Sequence, residues 1–220
     1  WLAAGAWLAA RLPERGRFMK SGGGRERGTP LRTTTVQHSP SDVLDRLLAL
    51  EEAERSGATE FAFGTLHHGG ARNIAQVRDQ LRRLTERLDD VGRHDSRETE
   101  EAALLRALVA AYPDRVARRR DAGSDRGVMV GGRGVKLAPQ SAVRGGTLFL
   151  CIDVDAASTD ALVRQASAVE PEWLPETSLR SATEVFFHPS QKGVVARHRV
   201  YFEDLLLSES PTSLPETDEP

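Results

Sequence analysis

Between Tyr112 and Gly146 the sequence concentrates cations. Eight Arg or Lys residues (115, 118, 119, 120, 126, 133, 136 and 144) stand there against three Asp, a local net charge of +5. Guanidinium and ammonium groups at that density supply charge-assisted hydrogen bonds to phosphate oxygens. The chemistry in prospect is the holding of a polyanion. Six residues are the candidate phosphate contacts: Arg115, Arg118, Arg119, Arg120, Arg133 and Lys136. On an extended backbone Arg118 and Arg120 share one face while Arg119 points to the other, so at most two of these three reach one groove. Proteins that hold single strands add stacking aromatics to a basic groove. Tyr112 is the only aromatic in this basic stretch, and it is expected to pack where a helix meets the basic segment. Sequence-independent contact with the nucleic-acid backbone is therefore expected rather than base readout.

Other constellations offer less. No Ser/His/Asp, Cys/His or clustered-carboxylate arrangement stands at a usable spacing for an independent enzyme. Gly22, Gly23 and Gly24 are followed by no Gly-Lys-Ser/Thr ending, so they are not a phosphate loop. His67 and His68 are adjacent, their side chains diverge, and no Cys or third ligand stands near, which argues against a metal site. Asp153 and Asp155 share a strand face but read as ordinary surface acids. Cys151, the single cysteine, sits in an apolar run and reads as a small buried hydrophobe, in keeping with a reducing, cytoplasmic setting.

Those cations need elements to carry them. The 220 residues are 39% hydrophobic and only 5% aromatic, so the core must be built mainly of Leu, Val and Ala. The net charge of −2 hides the basic segment and an opposing one: residues 203–220 carry six acids and no Lys or Arg. Residues 1–12 are apolar but too short to cross a bilayer, lack a secretory signal's basic flank, and read as the end of a buried helix. No membrane partner is expected. The chain begins at Trp1 and reads as part of something longer.

Residues 14–37 read as a basic, glycine-broken loop. Ser39, Pro40 and Asp42 suit a helix start, with Ser39 as cap; Val43, Leu44, Leu47, Leu48 and Leu50 follow on one face, and Gly57 ends it. Residues 61–70 are a short strand or loop. Ile74, Val77, Leu81, Leu84, Leu88 and Val91 predict a helix whose other face is rich in Arg and solvated. Ser96 and Glu98 mark the next helix, packed by Leu104, Leu105, Leu108 and Val109 and stopped at Pro113. The period then changes. Short strands are predicted at 115–120, 127–130, 135–137, 147–154 and 162–169, with turns between them. Five such strands suit a small closed barrel of the oligonucleotide-binding (OB) type. A helical turn at 172–176 brings in Trp173 as a core anchor, residues 184–188 and 194–202 form a hairpin, and 212–220 are expected to be disordered. The predicted class is α+β: an N-terminal helical part, a small OB-like barrel and a C-terminal hairpin extension.

Several blocks are also familiar. Ala110-Ala111-Tyr112-Pro113-Asp114-Arg115-Val116-Ala117 with Arg118, Arg119 and Arg120, and then Gly132-Arg133-Gly134-Val135-Lys136-Leu137, resemble the C-terminal half of HrpB-type DEAH-box ATP-dependent helicases. Val135, Leu137, Pro139 and Ser141 match that family's V-x-L-x-P-x-S element. Pro171-Glu172-Trp173-Leu174 is similar to its Pro-x-Trp-Leu turn, and Val194-Val195-Ala196-Arg197 points to the HrpB branch. The resemblance implies a division into the C-terminal part of a helicase-associated helical domain (1–110), an OB-like barrel (111–176), the start of the HrpB C-terminal extension (177–210) and an acidic tail (211–220). It implies single-stranded RNA or DNA, motor domains in cis and a regulatory protein as partners. The chain has no Walker-type Gly-Lys-Thr, no Asp-Glu-x-His box and no arginine-finger motif. No cofactor is expected in this chain; ATP and Mg belong to motor domains outside it. The competing reading is a protein-docking module that touches no nucleic acid.

Overall fold

The computed structural model describes residues 19–20, 39–61, 64–85, 99–155 and 160–214. The segments expected at 1–12 and around Ser96 and Glu98 lie outside these residues. The described chain is α+β, with three helices, a closed five-stranded barrel and two three-stranded antiparallel sheets.

The first helix, α1, spans Asp42–Ser56. Its cap is Ser41 rather than Ser39: the Ser41 hydroxyl accepts from the amides of Val43 and Leu44 at 3.1 and 3.3 Å. Pro40 therefore precedes the cap instead of opening the first turn. Gly57 closes the helix as expected, with a φ of 73° that a side chain would resist. A small sheet follows: β1 (Met19–Lys20), β2 (Glu60–Phe61) and β3 (Gly64–Leu66), in the order β1-β3-β2. Met19 and Lys20, read from the sequence as loop, pair with Leu66 and Thr65. Helix α2 (His68–Thr85) lays Ile74 against Leu50 and Leu66, and Arg78 reaches Glu54 of α1 at 3.0 Å. Leu48, assigned by spacing to the apolar face of α1, is exposed. Helix α3 (Glu100–Ala111) is capped by Thr99 and buries Leu104, Leu105, Leu108 and Val109.

After a 3-10 turn at Pro113–Arg115, the barrel strands are β4 (Val116–Arg119), β5 (Arg126–Met129), β6 (Arg133–Leu137), β7 (Leu148–Asp155) and β8 (Ala161–Val169). They close in the order β4-β5-β6-β8-β7, antiparallel except for the parallel β6–β8 pair. This is the five-stranded Greek-key closure of an OB barrel. Alternation along the strands sorts the apolar residues into two cores. Ala117, Val135, Leu137, Phe149, Cys151, Ala161 and Val163 fill the barrel. Val116, Leu148, Leu150 and Ile152 point outward and pack under α1, α3 and the C-terminal sheet. Both faces of β7 are thus buried, which explains its unbroken apolar run.

The C-terminal sheet holds β9 (Leu179–His188), β10 (Gly193–Phe202) and β11 (Leu205–Thr212), in the order β11-β10-β9. The expected hairpin is present, and β11 adds a third strand. Pro211 and Thr212, read from the sequence as the start of the tail, are its last residues. Phe202 and Leu205 enter the outer core, where Trp173 and Tyr112 also pack. Among the described residues no helix is long and apolar enough to cross a membrane.

Candidate nucleic-acid interface

Strand register builds a basic row that the linear sequence does not display. The Arg120 amide donates to the Arg126 carbonyl at 3.0 Å, and Arg126 stands opposite Lys136. Directly opposed residues point to the same face. Arg120, Arg126 and Lys136 therefore form one row across three adjacent strands on the outer surface of the barrel. Arg118 lies in the next row, opposite Val128, which faces Gly134. Neighbouring strands lie about 4.8 Å apart, so the row carries a cation at roughly that interval across the strands.

Gly134 is what allows the row to close up. A Cβ there would collide with the Asp160 carboxylate Oδ1 and would lie 3.6 Å from an Arg120 guanidinium nitrogen. The missing side chain leaves Arg120 and Asp160 free to lie over the strand. Two acids temper the row. Arg126 reaches the partly covered Asp160 at 3.0 Å, and Lys136 lies 3.6 Å from Asp125; Arg126, Lys136 and Asp125 are exposed. Exposed pairs of this kind are worth little and exchange readily for another anion. Among the described residues the Arg118 and Arg120 side chains make no hydrogen bond or ion pair.

The six expected residues thus separate. Arg118, Arg120 and Lys136 come together, joined by Arg126, which the sequence reading counted in the charge but did not single out. Its signal was its place directly after the β4–β5 turn, where an antiparallel register returns it to Arg120.

Arg119 is a correction. It is only 4% exposed, and its guanidinium donates to the carbonyls of Gly146, Ser124, Val143 and Gly145, while lying 5.1 Å from the Phe149 ring centroid. It plugs one end of the barrel and ties the β4–β5 and β6–β7 loops together. Burial, with the nearby Arg144 charge, lowers its pKa. Arg115 is half-buried, donates to the Ile152 carbonyl at 2.9 Å and sits over the Tyr112 ring at 5.3 Å. Arg133 is exposed at the opposite end of β6 from Lys136, three residues or about 10 Å away.

A second cluster joins the barrel to α1. The Asp42 carboxylate, 3% exposed, accepts from the Ser141 hydroxyl at 2.7 Å, the Ala142 amide at 2.8 Å and the Ala166 amide at 2.9 Å. Beside it the Ser41 and Ser167 hydroxyls meet at 2.6 Å, and the Ala168 amide donates to the Pro40 carbonyl at 2.7 Å. From the sequence Asp42 is only one residue of a helix start. Its structural partners lie about a hundred residues away, beyond the reach of local pattern.

Asp153 and Asp155 both face Arg164, and among the described residues no group of acids, histidines and cysteine is placed to hold a metal ion. Cys151 is fully buried, and burial pushes its thiol up to about 12.

No protein-family model matches the chain, and no curated protein matches it. Solved structures do. A crystal structure of the Escherichia coli DExH-box NTPase HrpB aligns at 19% identity over 80% of this chain and 22% of that one, with a TM-score of 0.47. A crystal structure of the E. coli DEAH/RHA helicase HrpB aligns at 20% identity over 81% of this chain and 22% of that one, with a TM-score of 0.50. The chain spans about a fifth of the length of these proteins, and over that fifth it shares the helicase structure's fold.

Proposed function

We propose that this chain is an auxiliary nucleic-acid-binding segment of an ATP-dependent helicase of the DEAH-box, HrpB type. In this reading the barrel holds single-stranded RNA or DNA by its backbone, and motor domains outside this chain bind ATP and Mg and hydrolyse the nucleotide in the cytoplasm. The observation that carries it is the outward row of Arg120, Arg126 and Lys136, with Arg118 beside it, on a barrel of OB topology. OB barrels use the face of their second and third strands and the adjoining loops for oligonucleotides. Arg126 and Lys136 stand on those two strands, next to the β4–β5 loop and to Asp160. An incoming phosphate displaces Asp125 and Asp160 from their weak pairs and gains the freed cations. No aromatic side chain belongs to the row, so it offers bases no stacking platform.

The test is titration of fluorescein-labelled single-stranded homopolymers at several salt concentrations. Replacing Arg118 and Arg120 with Glu should lower the slope of log affinity against log salt by about 1.4, from about 0.7 for each phosphate contact. The same change at the exposed Arg72 of α2 should leave it alone. Equal affinities and slopes for the barrel pair and wild type, with the fold intact, would remove the interface and favour a docking module.

A further inference from the structure

The C-terminal sheet has two edges among the described residues, and they differ. At β11 the sequence places Pro211, which has no amide hydrogen to offer and blunts the edge. At β9, ten residues long, there is no Pro, Gly or Lys, and its only strand partner among the described residues is β10. Its far half also carries apolar side chains into solvent. Val185 is 47% exposed, Phe187 61%, and Val194, directly opposite Phe187 on β10, 55%. A long unguarded strand edge beside an apolar patch is a template for another strand.

We propose that β9 pairs antiparallel with β9 of a second copy of this chain, about a two-fold axis at Phe186. The register follows from complementarity. With Phe186 opposite itself, Phe187 lies against the partner's Val185 on one face, and Glu184 lies against the partner's His188 on the other. The apolar face then runs unbroken through Val194, Phe187, the partner's Val185 and the partner's Ala196, because an axis normal to the sheet keeps like faces together. The polar side is equally matched. His188 Nδ1 accepts from the Gln191 amide at 3.3 Å, which makes Nε2 the donor of the neutral ring. Glu184 binds Tyr201 at 2.6 Å through one oxygen and Arg199 through the other, and retains lone pairs for a further donor. Moving the axis to Val185 would set Phe187 against the partner's Thr183, and moving it to Phe187 would set Val185 against the partner's Pro189, outside the strand.

Five residues, 184–188, pair on each side, well short of the roughly 1,600 Å² of a standard interface, so the association is weak, on the order of tens of micromolar. Sedimentation equilibrium of the 220-residue chain should show a monomer–dimer equilibrium in that range. Phe187→Glu, at an exposed position, should weaken it at least tenfold. Phe186→Cys should form an intermolecular disulfide on mild oxidation, since opposed strand residues lie within disulfide reach and Cys151 is buried. Ser181→Cys, five residues from the axis, should not. A monomer throughout that range, a dimer indifferent to Phe187→Glu, or equal cross-linking at 181 and 186 would each overturn the proposal.

Discussion

Removing the Asp42 carboxylate tests whether helix and barrel are held as the hydrogen bonds say. In Asp42→Ala three buried donors lose their acceptor at once: the Ser141 hydroxyl and the Ala142 and Ala166 amides. The hydroxyl can rotate to another acceptor; the two amides are fixed by the backbone. Each stranded donor costs about 1–3 kcal/mol, so the amides alone set a loss of about 2–6 kcal/mol, reduced if water enters the vacated space. A loss of about 3 kcal/mol is expected, a large share of the ~5–15 kcal/mol that holds a typical protein. Asp42→Asn separates charge from shape. Its amide oxygen can replace only one carboxylate oxygen, and its NH2 must face an N–H donor, so it should recover less than half of the loss. Urea unfolding followed by far-UV circular dichroism provides the measurement. An Asp42→Ala protein within about 1 kcal/mol of wild type, at unchanged denaturant dependence, would refute the idea that this carboxylate clamps α1 to the barrel.

Two further outcomes follow from buried groups. Arg119→Met should destabilise the chain by about 2–4 kcal/mol, since four carbonyls lose their donor, yet leave the salt slope of oligonucleotide binding unchanged; a lower slope would return Arg119 to the interface. Cys151 has its thiol raised from 9.0 to about 12 by burial, so at pH 8 the native protein holds about a thousandfold less thiolate than the unfolded chain. Alkylation should be slow in buffer and fast in urea. Because the native state keeps its proton longer, this group's contribution to stability is intact below pH 9 and is lost as the pH climbs from about 9 towards 12; denaturation midpoints flat across that window would contradict the burial.

How far these features were legible depends on how local their causes are. The five barrel strands were visible because each is a short alternating or apolar stretch between turn residues, and Gly57 was visible as a cap because its conformation is a one-residue property. The strand alternation even separated Arg119 from Arg118 and Arg120. What it could not say is that the inward side at that level ends among loop carbonyls able to satisfy a guanidinium. The row of Arg120, Arg126 and Lys136 needed the register of two hairpins. Asp42 needed a partner segment a hundred residues on. β11 was missed because LLLSESPT offers solvent-side Ser and Glu on an edge strand, the composition that also marks a tail.

One consequence of β7 concerns how the chain comes apart. Its alternate residues belong to two different cores, Phe149 and Cys151 to the barrel interior and Leu148, Leu150 and Ile152 to the layer beneath α1 and α3. A strand with no solvent side cannot give up one core and keep the other intact. Cutting the chain just before the barrel would bare three large aliphatic side chains on that strand, together with Val116 beside them. The helical layer and the barrel are separate in topology but form a single cooperative unit in unfolding, and amide exchange along β7 should report the stability of both.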